Sequence, residues 1–212
     1  MLLATQRFRA AAGRAGGVVV TTLTLAVLGG CSGGAPQTAP SAAPPTPIVR
    51  LNTAQMELHR IPFCDLLPHQ AVTDALGRRA TGHASWGIGD ATPFVGGRGE
   101  RAQEFGCRYS AGSAVAEAWV FASPVEPGFA RTVVRDSADR RGCRDRPGTA
   151  FGDPDELQTC RLGRGVVRVR HAGLFGQTWL SCQVSAALPE PQVTGRADAW
   201  CVQVANTLNT SR

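Results

Sequence analysis

The chain has 212 residues, a formal net charge of +6 and 43% hydrophobic content, with 25 Gly, 14 Pro and 7 Cys. That length suits one domain and leaves little room for two. All 22 basic side chains are arginines, and the odd cysteine count leaves one thiol outside any internal set of disulfides.

The first element is an address. Arg7, Arg9 and Arg14 stand in a stretch without acids, and the uncharged run VVVTTLTLAVLGG follows. A basic segment before about a dozen apolar residues is the layout of a signal peptide, short of the roughly 20 that span a bilayer. It ends in Leu28-Gly29-Gly30-Cys31, which resembles a bacterial lipobox. The resemblance makes Cys31 the mature N-terminus and the lipidation site. It implies a chain anchored by acyl groups on the extracytoplasmic side of the cell membrane, where a second acyl chain turns marginal binding into stable binding. Loss of Arg7, Arg9 and Arg14 with the leader lowers the net charge from +6 to +3.

Residues 32–49, SGGAPQTAPSAAPPTPIV, cannot bury enough apolar area to offset their chain entropy. They read as a tether that reaches about 25 Å as a flexible coil and about 55 Å as polyproline II. The expected division is a signal peptide at 1–30, lipidated Cys31 and tether at 31–58, and a single domain at 59–212.

Within that domain, Pro68 opens a short helix, HQAVTDAL, that Gly77 closes, with Ala71, Val72 and Leu76 inward. Strands are expected around 83–88, 104–110 and 114–122, then a helix at 127–138 with Phe129, Val133 and Val134 inward. After an arginine-rich loop come strands at 157–162, 165–171 and 177–185. In the middle one Val167, Val169 and His171 alternate with Arg168 and Arg170, as a half-buried antiparallel strand requires. A helix at 192–208 aligns Val193, Ala197, Trp200, Val204 and Leu208 on one face. The order is helix, three strands, helix, three strands, helix. It predicts an α+β fold, an antiparallel sheet of about six strands with helices on one face. Trp86, Trp119, Trp179 and Trp200 are expected mainly in the core.

Apart from Cys31 there remain Cys64, Cys107, Cys143, Cys160, Cys182 and Cys201. An even set in an exported chain implies disulfides, with fifteen connectivities open to six cysteines. Sequential pairing is favoured on local grounds. Cys143 and Cys160 bracket a polar Gly/Pro-rich loop, and Cys182 and Cys201 fall on a strand and the helix after it. Metal binding has little support: no C-x-x-C or H-x-x-x-H pair occurs, and His59, His69, His83 and His171 are isolated.

The segment Pro62-Phe63-Cys64-Asp65-Leu66-Leu67, the helix ending Ala75-Leu76-Gly77 and the strand Gly106-Cys107-Arg108-Tyr109 carry a resemblance. Behind a lipobox and a tether, this order is similar to the actinobacterial lipoprotein family called domain of unknown function 3558. Arg108 departs from the family pattern, which has an aromatic directly after the strand cysteine. The resemblance implies a Cys64 to Cys107 bridge and brings no catalytic residues. The extracellular sensor domains of some actinobacterial Ser/Thr kinases also look similar in outline, an analogy of fold only.

The sequence carries no enzyme signature. Gly112-Ser113 lacks the second glycine of a nucleophile elbow and sits between strands. The Gly-rich stretch at 87–99 has neither dinucleotide spacing nor a P-loop lysine and reads as a surface loop. Asp153 and Asp155 fall short of an EF-hand, so neither cofactor nor metal is expected. The most distinctive charged stretch is 131–146, with six arginines against three aspartates. Arginine forks suit phosphate and carboxylate. Arg131, Arg135, Arg140 and Arg141, extended by Arg168 and Arg170, are therefore the candidate anion site, weighed against a solvated face of Asp-Arg pairs. The expected function is a non-enzymatic envelope lipoprotein binding a cell-wall polymer, a lipid or another envelope protein. A sensor or interaction module is the second reading and a wall-polymer hydrolase the third; location argues against nucleic acid.

Overall fold

The computed structural model describes residues 47–91, 101–138, 140–146 and 149–210. Cys31, the leader and the tether as far as residue 46 lie outside the described residues, as does most of the Gly-rich loop.

The elements run α1 (His69–Leu76), β1 (Gly82–Trp86), β2 (Glu104–Ala111), β3 (Ala114–Phe121), α2 (Pro127–Ala138), β4 (Cys143–Arg146), β5 (Asp155–Arg161), β6 (Val167–Phe175), β7 (Thr178–Ala186) and α3 (Glu190–Thr210). Seven strands form one antiparallel sheet in the order β1-β2-β3-β7-β6-β5-β4. The strand absent from the sequence reading is β4. Its four residues, CRDR, contain no run of apolar residues to mark it, and it is held by pairing with β5 in the register Cys143 to Cys160.

One sheet face carries Val169 and His171 from β6, Leu180, Cys182 and Val184 from β7, and Ala116, Ala118 and Val120 from β3, all buried. Small residues on β3 let α3 lie close, and Trp200 Nε1 donates to the Glu117 carbonyl at 2.9 Å. His171 bonds Asp198 of α3 at 2.7 Å through Nε2. The short α1 packs beside α3 and ends where Gly77, at φ 74°, adopts the left-handed conformation that a side chain would strain. The Arg196 guanidinium lies over this glycine, next to the negative end of the helix dipole.

The expectation of helices on one face holds for α1 and α3, and α2 differs. It covers the opposite face, where Ala172, Leu174 and Trp179 form an apolar patch with Val125 and Ala130. That patch needs its own cover. The buried residues of α2 are Ala130 and Ser137, with Val133 and Val134 partly buried, whereas Phe129, expected inward, is 56% exposed. Trp86, Trp179 and Trp200 are buried and Trp119 is half-exposed. Ahead of α1, Ile48, Met56 and Leu58, within the stretch expected to be tether, are buried against the main core.

The structure pairs Cys64 with Cys107, Cys143 with Cys160, and Cys182 with Cys201. The first ties the turn before α1 to β2, the second joins β4 to β5, and the third fixes α3 to β7. Each bridge contributes about 2–4 kcal/mol, chiefly by restricting the unfolded chain. Non-reducing peptide mapping of the exported chain is expected to return these three bridges, and a free thiol among the six would contradict the pairing.

Candidate functional site

An open cleft of about 790 Å³ lies between α1, the turn before it and the β1–β2 edge. Alternation along β2 turns Tyr109 to the α1 face, in register with His83 on β1. The two rings stack at 4.6 Å and 9°. Behind them Trp200 meets Tyr109 edge-on at 6.0 Å. The Tyr109 hydroxyl donates to the Cys64 carbonyl at 2.9 Å. Burial, and then the charge of Asp65, push its phenol up to about 12, so it is a fixed neutral donor at physiological pH. Leu67, Val72 and Ala80 add apolar wall, while Arg79, His69 and Asp65 supply charge and hydrogen bonds. Disulfide Cys64–Cys107 holds the two sides together. The described residues of the cleft contain no nucleophile hydrogen-bonded to a base. No three His, Cys, Asp or Glu among the described residues form a group that could hold a metal.

The opposite face carries a second polar arrangement. Strand register lines up Arg108, Glu117, Gln183, Arg170, Gln158 and Asp145 across β2, β3, β7, β6, β5 and β4. Glu117 is held by the Arg108 guanidinium on one oxygen and by the Gln183 amide on the other. One register step along β5, Glu156 accepts from Arg170 and from the Ser137 hydroxyl, and Gln158 Nε2 donates to the Ser137 carbonyl at 2.8 Å. The network therefore fastens the end of α2 to the sheet. Burial raises the Glu156 carboxyl above its ordinary range against the pull of Arg170. Burial likewise brings the Arg170 guanidinium down to about 10 and lowers Arg168.

These positions divide the candidate anion site. Arg170 is buried and committed to Glu156. Arg168 is half-buried, with Nη2 3.4 Å from the Cys160 sulfur. Arg131 and Arg135 lie exposed on α2, Arg135 beside Asp136 at 3.7 Å. Arg140 and Arg141 are exposed in the turn before β4. The sequence reading missed the cleft, whose walls come from segments forty residues apart. The polar members of AVAEAWVF, DELQTCR and TWLSCQVSA were the available signal for the belt.

No family model matches the chain, so the resemblance to domain of unknown function 3558 stands on its short motifs alone. No curated protein matches it either. Among solved structures, the extracellular domain of PknH from Mycobacterium tuberculosis is similar with a TM-score of 0.44 at 14% identity, covering 72% of this chain and 98% of that one. Among the described residues no helix is long and apolar enough to cross a membrane.

Proposed function

We propose that the chain is a non-enzymatic sensor or interaction module, held by a lipid on Cys31 at the outer face of the cytoplasmic membrane, which takes a wall-polymer fragment in the cleft beside α1. The observation that carries this reading is the exposed His83 ring stacked on the buried Tyr109 ring at the mouth of that cleft. An aromatic platform with a charged rim suits a polar ring such as a sugar, which stacks on one face and bonds at its edge. The buried Glu117, Glu156 and Arg170 are paired within the fold and fit a structural role.

Two measurements test it. Mass spectrometry of the membrane fraction is expected to find Cys31 acylated, and Cys31→Ala is expected to release the chain; retention of that variant would remove the anchor. Titration with soluble wall fragments, followed by NMR, is expected to shift resonances of residues 65–83 and 109. His83→Ala should weaken binding about ten-fold, the worth of one aromatic stack. Shortening of the fragments on incubation would establish the hydrolase instead.

A further inference from the structure

Five turns lie along one end of the sheet: residues 77–81, 112–113, 140–142, 162–166 and 187–189. Register places them together, since Ala111 faces Ala114, Val167 faces Ala186, and Arg161 N donates to the Gly142 carbonyl at 3.0 Å. Arg78, Arg79, Arg140, Arg141 and Arg164 sit in these turns and Arg161 at the end of β5, all exposed. In sequence the connection from α2 to β4 also holds Asp139, the one acidic residue in these five connections. Of the described carboxylates flanking these turns, Asp74 is bonded by Gln70 and Glu190 by Arg144. Leu162, 40% exposed, projects among the arginines. Among the described residues the opposite end is more acidic, with Glu57, Asp90, Glu104, Glu126, Asp153 and Asp155 against Arg60, Arg101 and Arg146. The domain is thus polarised along its strands.

We infer that the arginine end is the face this domain turns toward an anionic phospholipid surface. Six guanidinium groups against one aspartate in the same connections match a plane of phosphates, and each arginine within a Debye length of such a surface strengthens attachment about five-fold. An exposed leucine at the tip adds apolar contact with the headgroup boundary. A lipid on Cys31 and a tether of about 20 Å reach would hold the domain at high effective concentration near the bilayer, so a weak contact suffices to orient it. In that respect the inference rests on the anchored reading above.

The test uses the chain from residue 31 carrying Cys31→Ser, so that only the domain surface is read and failure of acylation is seen separately. Sedimentation with vesicles of phosphatidylcholine and phosphatidylglycerol at three to one is expected to show binding that pure phosphatidylcholine lacks and that raised salt weakens. Arg141→Gln with Arg164→Gln should weaken it about 25-fold, while Arg131→Gln with Arg135→Gln, an equal charge loss on α2, should change it less than about two-fold. Both pairs are exposed, and unchanged melting temperatures would confirm intact folding. Absence of binding, or equal losses from the two pairs, would overturn the proposal. So would a soluble glycerol-phosphate polymer that binds as tightly as the vesicles with the same loss, which would assign the end to a wall polyanion.

Discussion

Replacing Arg170 with methionine is expected to destabilise the domain by about 3–5 kcal/mol at neutral pH, because it leaves a buried carboxylate without its cation. The Arg170 and Glu156 side chains are 8% and 2% exposed. The loss should be pH-dependent in a definite direction. Burial already raises the folded-state Glu156 carboxyl, and Arg170 opposes that rise. Removing the cation raises it further. A carboxyl raised on folding leaves stability intact below the unfolded value of about 4.3 and withdraws it as pH climbs through the folded value. Urea unfolding should therefore find the gap between variant and parent narrowing from pH 7 toward pH 4. Adding Glu156→Gln should recover more than half of the neutral-pH loss, since the amide needs no counter-charge. A deficit indifferent to pH and to the second change would show that Arg170 matters through packing alone.

Gly173→Ala is expected to cost at least about 3 kcal/mol and to lower the melting temperature by about 6–12 °C. A methyl group at this position would sit 1.7 Å from the Phe151 carbonyl oxygen and 2.8 Å from its carbon. The obstacle is backbone, which cannot rotate aside as a side chain can. Nor can that segment withdraw freely, because Asp153 N donates to the Leu174 carbonyl at 2.8 Å and Leu174 N to the Pro154 carbonyl at 3.1 Å. Phe151, fully buried, packs edge-on against Phe175 at 5.1 Å and tilts over His171 at 5.7 Å. Gly163→Ala is the control, with no atom within 4 Å of the added carbon, and should change stability by less than about 0.5 kcal/mol. A melting shift under about 2 °C for Gly173→Ala would mean that the close approach is not maintained in solution.

Much of the element order was legible because local pattern and burial agree. In β6 the alternation of valine with arginine marks which side chains meet α3 and which meet the other face, and Pro68 and Gly77 delimit α1 because proline fixes φ and glycine admits the left-handed turn that ends the helix. Phe129 shows the limit of that logic. Helical periodicity ranks faces by hydrophobicity, and here Ser137 is buried because Glu156 and Gln158 wait beneath it, while Ala130 packs on Leu174 and Trp179. That contact depends on register across strands, which no local pattern contains. For the same reason β4 was invisible: Arg144 and Arg146 are exposed, and the strand exists through its partner. The cleft required knowing that the turn at Cys64 returns to β2, which the cysteines hinted at and the walls did not.

The polar belt bears on how the chain finds one alignment among several. The inner row of β3 is largely alanine, and such a strand packs nearly as well when slid two residues along β2, a shift that keeps the same side chains inward. Glu117 removes that freedom. Slid two residues either way, its carboxylate, 3% exposed, would face Gly106 or Ser110 in place of Arg108, and the Gln183 amide would lose its acceptor. The belt thus acts as a set of indexing pins, excluding misaligned sheets whose apolar contacts alone would be nearly equivalent.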